Sequence, residues 1–265
     1  MLLPIAWIAL TGCRNIEEAP EDLDGLFPWY WQNYQAAADA DIQDATDKLV
    51  AALGEDALLD GLDGTLSDLP PDGPEVVGLD TPVEEAAGMF LAGTIGCGVT
   101  DLEAILVHLQ QDTLYTDIYD RYERSYQSDI GGYLDRSLPD VSWRVSVDAT
   151  VLGTSYSEEL EGGLRYIAET DAHPAILLAR TWLIAPATFE SDNKSFEQDF
   201  QIEIYWARSG QDVGHAYGMW REMDFGSGFN TDDEGVVRLQ LNGLWDWDER
   251  TTEICQNGEV PPLPN

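Results

Sequence analysis

The spacing of apolar residues changes once along this chain, from a period near 3.6 to a period of 2, and the change falls at Pro139. Upstream of it, Tyr34, Ala38, Ile42, Ala45, Leu49 and Leu53 recur every three or four residues and make one face of an amphipathic helix that Gly54 closes. Leu102, Ile105 and Leu109 mark a second helix, opened by the capping box Thr100-Asp101-Leu102-Glu103. The tyrosines at 115, 119, 122 and 126 prolong the helical stripe to Gly131-Gly132; such a stripe packs on a sheet with its hydroxyls at the rim, or lines a ligand cavity.

Downstream of Pro139, Val145, Val147, Ala149 and Val151 alternate with Ser146, Asp148 and Thr150. Phe196, Phe200, Ile202, Ile204 and Trp206 fall on one face of a strand, and Glu197, Asp199, Gln201 and Glu203 on the other. Val237, Leu239, Leu241, Trp245 and Trp247 repeat the pattern, and weaker strands occupy about 156–167, 175–185 and 213–223. Short connections and half-polar strands indicate antiparallel pairing. The expected fold is therefore α+β, with N-terminal helices packed on a C-terminal, curled antiparallel sheet of about six strands.

The same reading divides the chain into a signal peptide over 1–12, an acidic tether over 13–30, a helical segment over 31–138, a β segment over 139–256 and a tail over 257–265. Residues 31–256 are expected to fold as one unit, with the Gly-, Pro- and Asp-rich stretch 58–78 as loop.

Charge narrows the choice of partners. Fifty Asp and Glu stand against 13 Lys and Arg, a net charge of -37, and between Asn15 and Asp120 the single base is Lys48. Phosphate backbones are held by clustered Lys and Arg, so nucleic acid is excluded as an ordinary partner. The surplus fits life in salt or simple solubility; a divalent-cation surface or a basic partner is the sharper alternative.

The chain opens MLLPIAWIALTGC, whose apolar run of about eleven residues is too short to cross a bilayer, which takes roughly 20, and suits the h-region of a signal peptide. Leu10-Thr11-Gly12-Cys13 resembles the lipobox of bacterial lipoproteins, although no Lys or Arg precedes the apolar run. The resemblance implies cleavage before Cys13, a diacylglycerol on its thiol and a membrane attachment through that lipid. Arg14 in place of Asp implies the outer membrane of a bacterial envelope. Cys97 and Cys255 then remain, an even number in an oxidising compartment, and are expected either to form a disulfide closing a long loop or to stay as two buried thiols.

Chemistry is harder to find. His108, His173 and His215 share no metal-ligand spacing with one another or with a Cys, and no nucleophile elbow, P-loop or zinc-protease motif is present. No catalytic residue, metal or cofactor is expected from local pattern. Asn230-Thr231-Asp232-Asp233-Glu234-Gly235 looks like the first half of a calcium loop, but Leu241 stands where a bidentate Glu is required, so it reads as a hairpin turn. The aromatic strands supply one lead. His215, Tyr217, Met219 and Arg221 alternate onto one strand face, and with Trp206 they make His215, Tyr217, Arg221 and Trp206 the candidate ligand-binding residues. The first expectation is a lipid-anchored, non-catalytic binding or interaction domain of unknown partner, a protein or a hydrophobic ligand. The alternative is a carrier of a hydrophobic small molecule in a cavity between sheet and helices, and a secreted hydrolase comes third.

Overall fold

The computed structural model describes residues 16–83, 85–151, 153–190, 193–226 and 233–264. The signal-like segment, Cys13 and the Asn230-Thr231-Asp232 half of the calcium-like loop lie outside the described residues.

Three helices come first: α1 Leu23–Asn33, α2 Asp39–Leu53 and α3 Glu55–Asp60. Strands β1 Leu62–Leu66 and β2 Ala87–Ile95 follow, then α4 Val99–Leu106, β3 Arg121–Tyr126 and the short α5 Ile130–Leu134. The long strands come next: β4 Asp140–Val151, β5 Thr154–Ile167, β6 Ile176–Leu183, the two-residue β7 Thr188–Phe189, β8 Ser195–Ala207 and β9 Val213–Asp224. The final element is α6, Glu234–Asn257.

All strand pairs are antiparallel and form one sheet in the order β1-β2-β9-β8-β6-β5-β4-β3, with β7 paired to β5. The sheet is curled and unclosed, and the architecture is the expected α+β arrangement, with nine strands among the described residues rather than about six.

Both faces of the sheet are covered. On the outer face Phe90 and Ala92 of β2, Ile202, Ile204 and Trp206 of β8, and Trp220 of β9 pack with Leu26, Phe27, Trp31, Ile42 and Leu49 of α1 and α2. Gly218 seats this layer, because a Cβ there would stand 2.5 Å from the Phe27 ring. On the inner face Val141, Trp143, Val145 and Val147 of β4 pack with α4 and with Val236 and Ile254 of α6, while Met89, Leu91 and Met219 meet Leu241 of α6.

Cys97, just beyond β2, is bonded to Cys255 in the last turn of α6, with Cα atoms 5.4 Å apart across a sequence separation of 158. Gly96 N–H donates to Thr252 Oγ1 at 3.0 Å beside it.

Several expectations are corrected. The stretch expected as strand over 237–247 lies in α6: Val237, Leu241, Leu244, Asp248, Thr251 and Cys255 recur at helical spacing, but two of these positions are polar, which hid the period. The four-tyrosine stripe is not helical; Tyr122 and Tyr126 belong to β3, and their spacing of 4 suits a strand face as well as a helix face. The segment 31–138 contains three strands. Of these, β2 is buried on both faces, so AGMFLAGTI shows no alternation, and the loop expected over 58–78 contains β1.

The acidic tether ends early, because α1 begins at Leu23 and buries Leu26, Phe27 and Trp29. The helix read from Tyr34 onward breaks there, with Tyr34 at the end of α1 and α2 starting at Asp39. Gly98, not Thr100, sits at the N-cap of α4, and Glu103 is spent on a fork-to-fork pair with Arg136 at 2.7 Å to each oxygen. Asp233 is the N-cap residue of α6 and Glu234 its first residue, so the described part of the expected hairpin turn opens a helix.

Candidate functional site

Between the inner face and α6 lies a cavity of about 540 Å3. Its apolar wall comes from β4 and β5, with Trp143, Val145, Val147, Ala149 and Leu160, joined by Ala179 of β6 and Met223 of β9. Strand alternation dictates this, since every second residue of these strands must face inward. Tyr119 and Tyr122 close one side, their rings 5.1 Å apart. Leu244 and Trp247 of α6 form the floor. The exposed members of the lining, Asp117, Thr150, Leu239, Gly243 and Asp246, ring its opening.

Two polar clusters project into this space. The first centres on His215 of β9, which is 2% exposed. Its Nδ1 lies 3.0 Å from Oδ2 of Asp248 on α6, and its Nε2 lies 3.8 Å from Oε2 of Glu203 on β8. The imidazole is stacked on Tyr205, centroids 4.3 Å apart and planes 7° from parallel, and meets Tyr217 edge-on at 6.2 Å. Burial raises the Glu203 pKa, opposed by the nearby His215 and by the Tyr205 hydroxyl that donates to it.

The second cluster contains Asp199, Arg221 and Glu158. Arg221 donates from Nη2 to Asp199 Oδ2 at 2.6 Å and from Nε to Oδ1 at 3.2 Å, and lies over the Phe196 ring at 4.9 Å. Glu158 of β5 makes no ion pair among the described residues, and its Oε2 is sealed with no hydrogen-bond partner. Burial pushes its pKa up to about 8; Asp199 adds to the rise and Arg221 opposes it. Burial also holds the phenols of Tyr119, Tyr156, Tyr205 and Tyr217 above their ordinary pKa, so each keeps its proton.

Arg124 anchors the β3 side. Its guanidinium lies 4.1 Å above the Trp143 ring and donates to the Tyr122 hydroxyl and to the Leu106 carbonyl.

The candidate residues from sequence separate cleanly. His215, Tyr217 and Arg221 line the cavity. Trp206 does not join them: it lies on the outer face, 4% exposed, packed over Gly214 in the core beneath α1 and α2. Strand parity is the reason, because Trp206 shares its face with Ile202 and Ile204 while Gln201, Glu203 and Tyr205 point the other way. Phe196 also changes sides: a β-bulge at Phe196/Gln198 flips it to the inner face, away from Phe200.

Sequence reasoning missed Glu158, Asp199, Glu203 and Asp248. The polar face of β8 reads as solvent-facing in isolation, and the signal that could have found it is the helical period of α6, which supplies the cover. Among the described residues no three His, Cys, Asp or Glu side chains are placed to hold a metal ion, and no helix is long and apolar enough to cross a membrane.

No protein-family model matches this chain, and no curated protein matches it. Among solved structures it is similar to human STARD10, with a TM-score of 0.46 at 7% identity over 87% of this chain and 91% of that one. It is also similar to human StAR-related lipid transfer protein 5, with a TM-score of 0.44 at 6% identity over 83% and 98%. A START superfamily protein from Mycobacterium smegmatis aligns with a TM-score of 0.42 at 8% identity over 64% and 97%.

Proposed function

We propose that this chain carries a hydrophobic small molecule in the cavity between the curled sheet and α6. One observation carries the reading: about 540 Å3 of space, walled by Val, Ala, Leu, Trp and Tyr side chains, into which a few buried polar groups converge. That volume lies within the roughly 300–1,000 Å3 of small-molecule sites, and its composition is theirs, apolar surface for affinity and few polar groups for orientation. The carrier reading thereby stands ahead of the interaction domain that the sequence suggested first, since a filled core would leave no such space.

The anchoring reading belongs to the same proposal. A diacylglycerol on Cys13 would hold the carrier at the outer membrane of a bacterial envelope, with the chain from residue 14 to α1 as the link. A bilayer is a store of hydrophobic molecules, so a tethered carrier would work beside its source.

The test is mass spectrometry of the protein purified from its native membrane. Organic extraction should yield one class of hydrophobic molecule in near-stoichiometric amount, and the mature chain should begin at a lipidated Cys13. A protein that yields none, and that takes up no hydrophobic fluorophore when one is offered, would overturn the carrier reading. A chain without lipid mass on Cys13 would overturn the anchoring alone.

A further inference from the structure

Of the four acids in the two buried clusters, Glu158 alone makes no ion pair among the described residues. Asp199 is paired with Arg221 at 2.6 Å, Asp248 sits 3.0 Å from His215, and Glu203 accepts from Tyr205 and stands 3.8 Å from His215. Glu158 has none of these, and its sealed Oε2 lacks a hydrogen-bond partner. Burying a polar atom unpartnered is costly, and a cationic ligand in the cavity would relieve that cost. The Asp199–Arg221 pair acts on Glu158, and its other neighbours in the lining include phenols. Tyr156 precedes it by two residues on the same strand face, and its charge acts on Tyr119 and Tyr122 as well as on Tyr156.

Ring faces around a lone carboxylate are the chemistry that holds an ammonium group. We propose, resting on the carrier reading above, that the ligand is an amphiphilic amine: its ammonium pairs with Glu158 among Tyr119, Tyr122 and Tyr156, and its hydrocarbon chain lies along Val147 and Leu160. A carboxylate headgroup brings no positive charge for Glu158 to pair with, while Arg221 is already engaged by Asp199. An alcohol would leave Glu158 without an ion partner.

The experiment compares three ligands of equal chain length, dodecylamine, dodecanol and dodecanoic acid, below their aggregation limits in about 0.15 M salt to screen the acidic surface. Binding is followed by tryptophan fluorescence and by titration calorimetry. The amine is expected to bind about tenfold or more tighter than the alcohol, and the acid weakest. Glu158→Gln should bring the amine down to the affinity of the alcohol and leave the alcohol unchanged.

Calorimetry of the unaltered protein in two buffers of different ionisation enthalpy supplies a readout that needs no variant. A carboxyl that titrates at about 8 is protonated at neutral pH, so amine binding should expel a proton, and alcohol binding should not. An acid or alcohol that binds as tightly as the amine, an undiminished amine preference in Glu158→Gln, or amine binding without proton release would overturn the inference while leaving the carrier reading in place. If none of the three ligands binds, the carrier reading fails and this one with it.

Discussion

His215 on β9 and Asp248 on α6 join the sheet to the helix that floors its cavity, Nδ1 to Oδ2 at 3.0 Å, with both residues at most 5% exposed. A carboxylate accepts and does not donate, so Nδ1 bears the proton and Nε2 faces Glu203. The stacked Tyr205 ring fixes the imidazole plane from the other side.

Asp248→Ala removes the acceptor and leaves a buried imidazole N–H unpaired. Its stability should fall by about 1–3 kcal/mol, read from urea unfolding midpoints. The double substitution His215→Leu with Asp248→Leu should cost less than the sum of the two single changes, because no polar group is then stranded. Additive losses would show that the two residues do not act as a pair.

Glu158 gives the stability a pH dependence of defined sign. Its folded pKa of about 8 exceeds the ordinary carboxyl value of 4.5, so between these limits the native state holds a proton that the unfolded chain has released. This contribution makes stability fall as pH rises from about 4.5 to 8 and then level off. Glu158→Gln should remove the dependence and become more stable than the parent at pH 8 and above, by about 1–3 kcal/mol. Parallel urea midpoints for the two proteins from pH 5 to 9 would contradict it.

The Cys97–Cys255 bond closes a loop of 158 residues and fastens the end of α6 to the end of β2. Chain-entropy arguments put the upper value of such a closure near 5 kcal/mol, and about 2–4 kcal/mol is typical. Replacing both cysteines by serine should lower stability by that amount. Reduction of the unaltered protein by a thiol or phosphine should do the same and add two hydrogen atoms to its mass, and a mass that does not change on reduction would show that the bond is absent.

Gly243 lies on α6 at the mouth of the cavity, and a Cβ built there meets nothing within 4 Å. Gly243→Leu should therefore be stabilising, by up to about 1 kcal/mol from helix propensity, while its side chain narrows the opening. The expected combination is a higher unfolding midpoint with slower uptake and release of a hydrophobic fluorophore. Unchanged exchange rates would place the route of entry elsewhere.

The sequence by itself determined the parts whose burial is one-sided. One apolar face against one polar face is what alternation records, so β4 and β8 were clear in the sequence; β5, β6 and β9 were legible more weakly, and β6 and β9 are buried on both faces. The structure forms the Cys97–Cys255 bond, one of two outcomes that the sequence left open. The sequence could not show β2, which is apolar on both faces, or α6, whose buried face includes Asp248 and Thr251.

Only the tertiary structure decided the site. The acids of β8 look like a wetted face until α6 is laid across them, and Trp206 looks like a cavity residue until α1 and α2 claim its side of the sheet. Which face of a strand is sealed depends on elements distant in the chain. Local periodicity reports that two faces differ, and the packing of helices on both sides determines that here the polar one encloses the cavity.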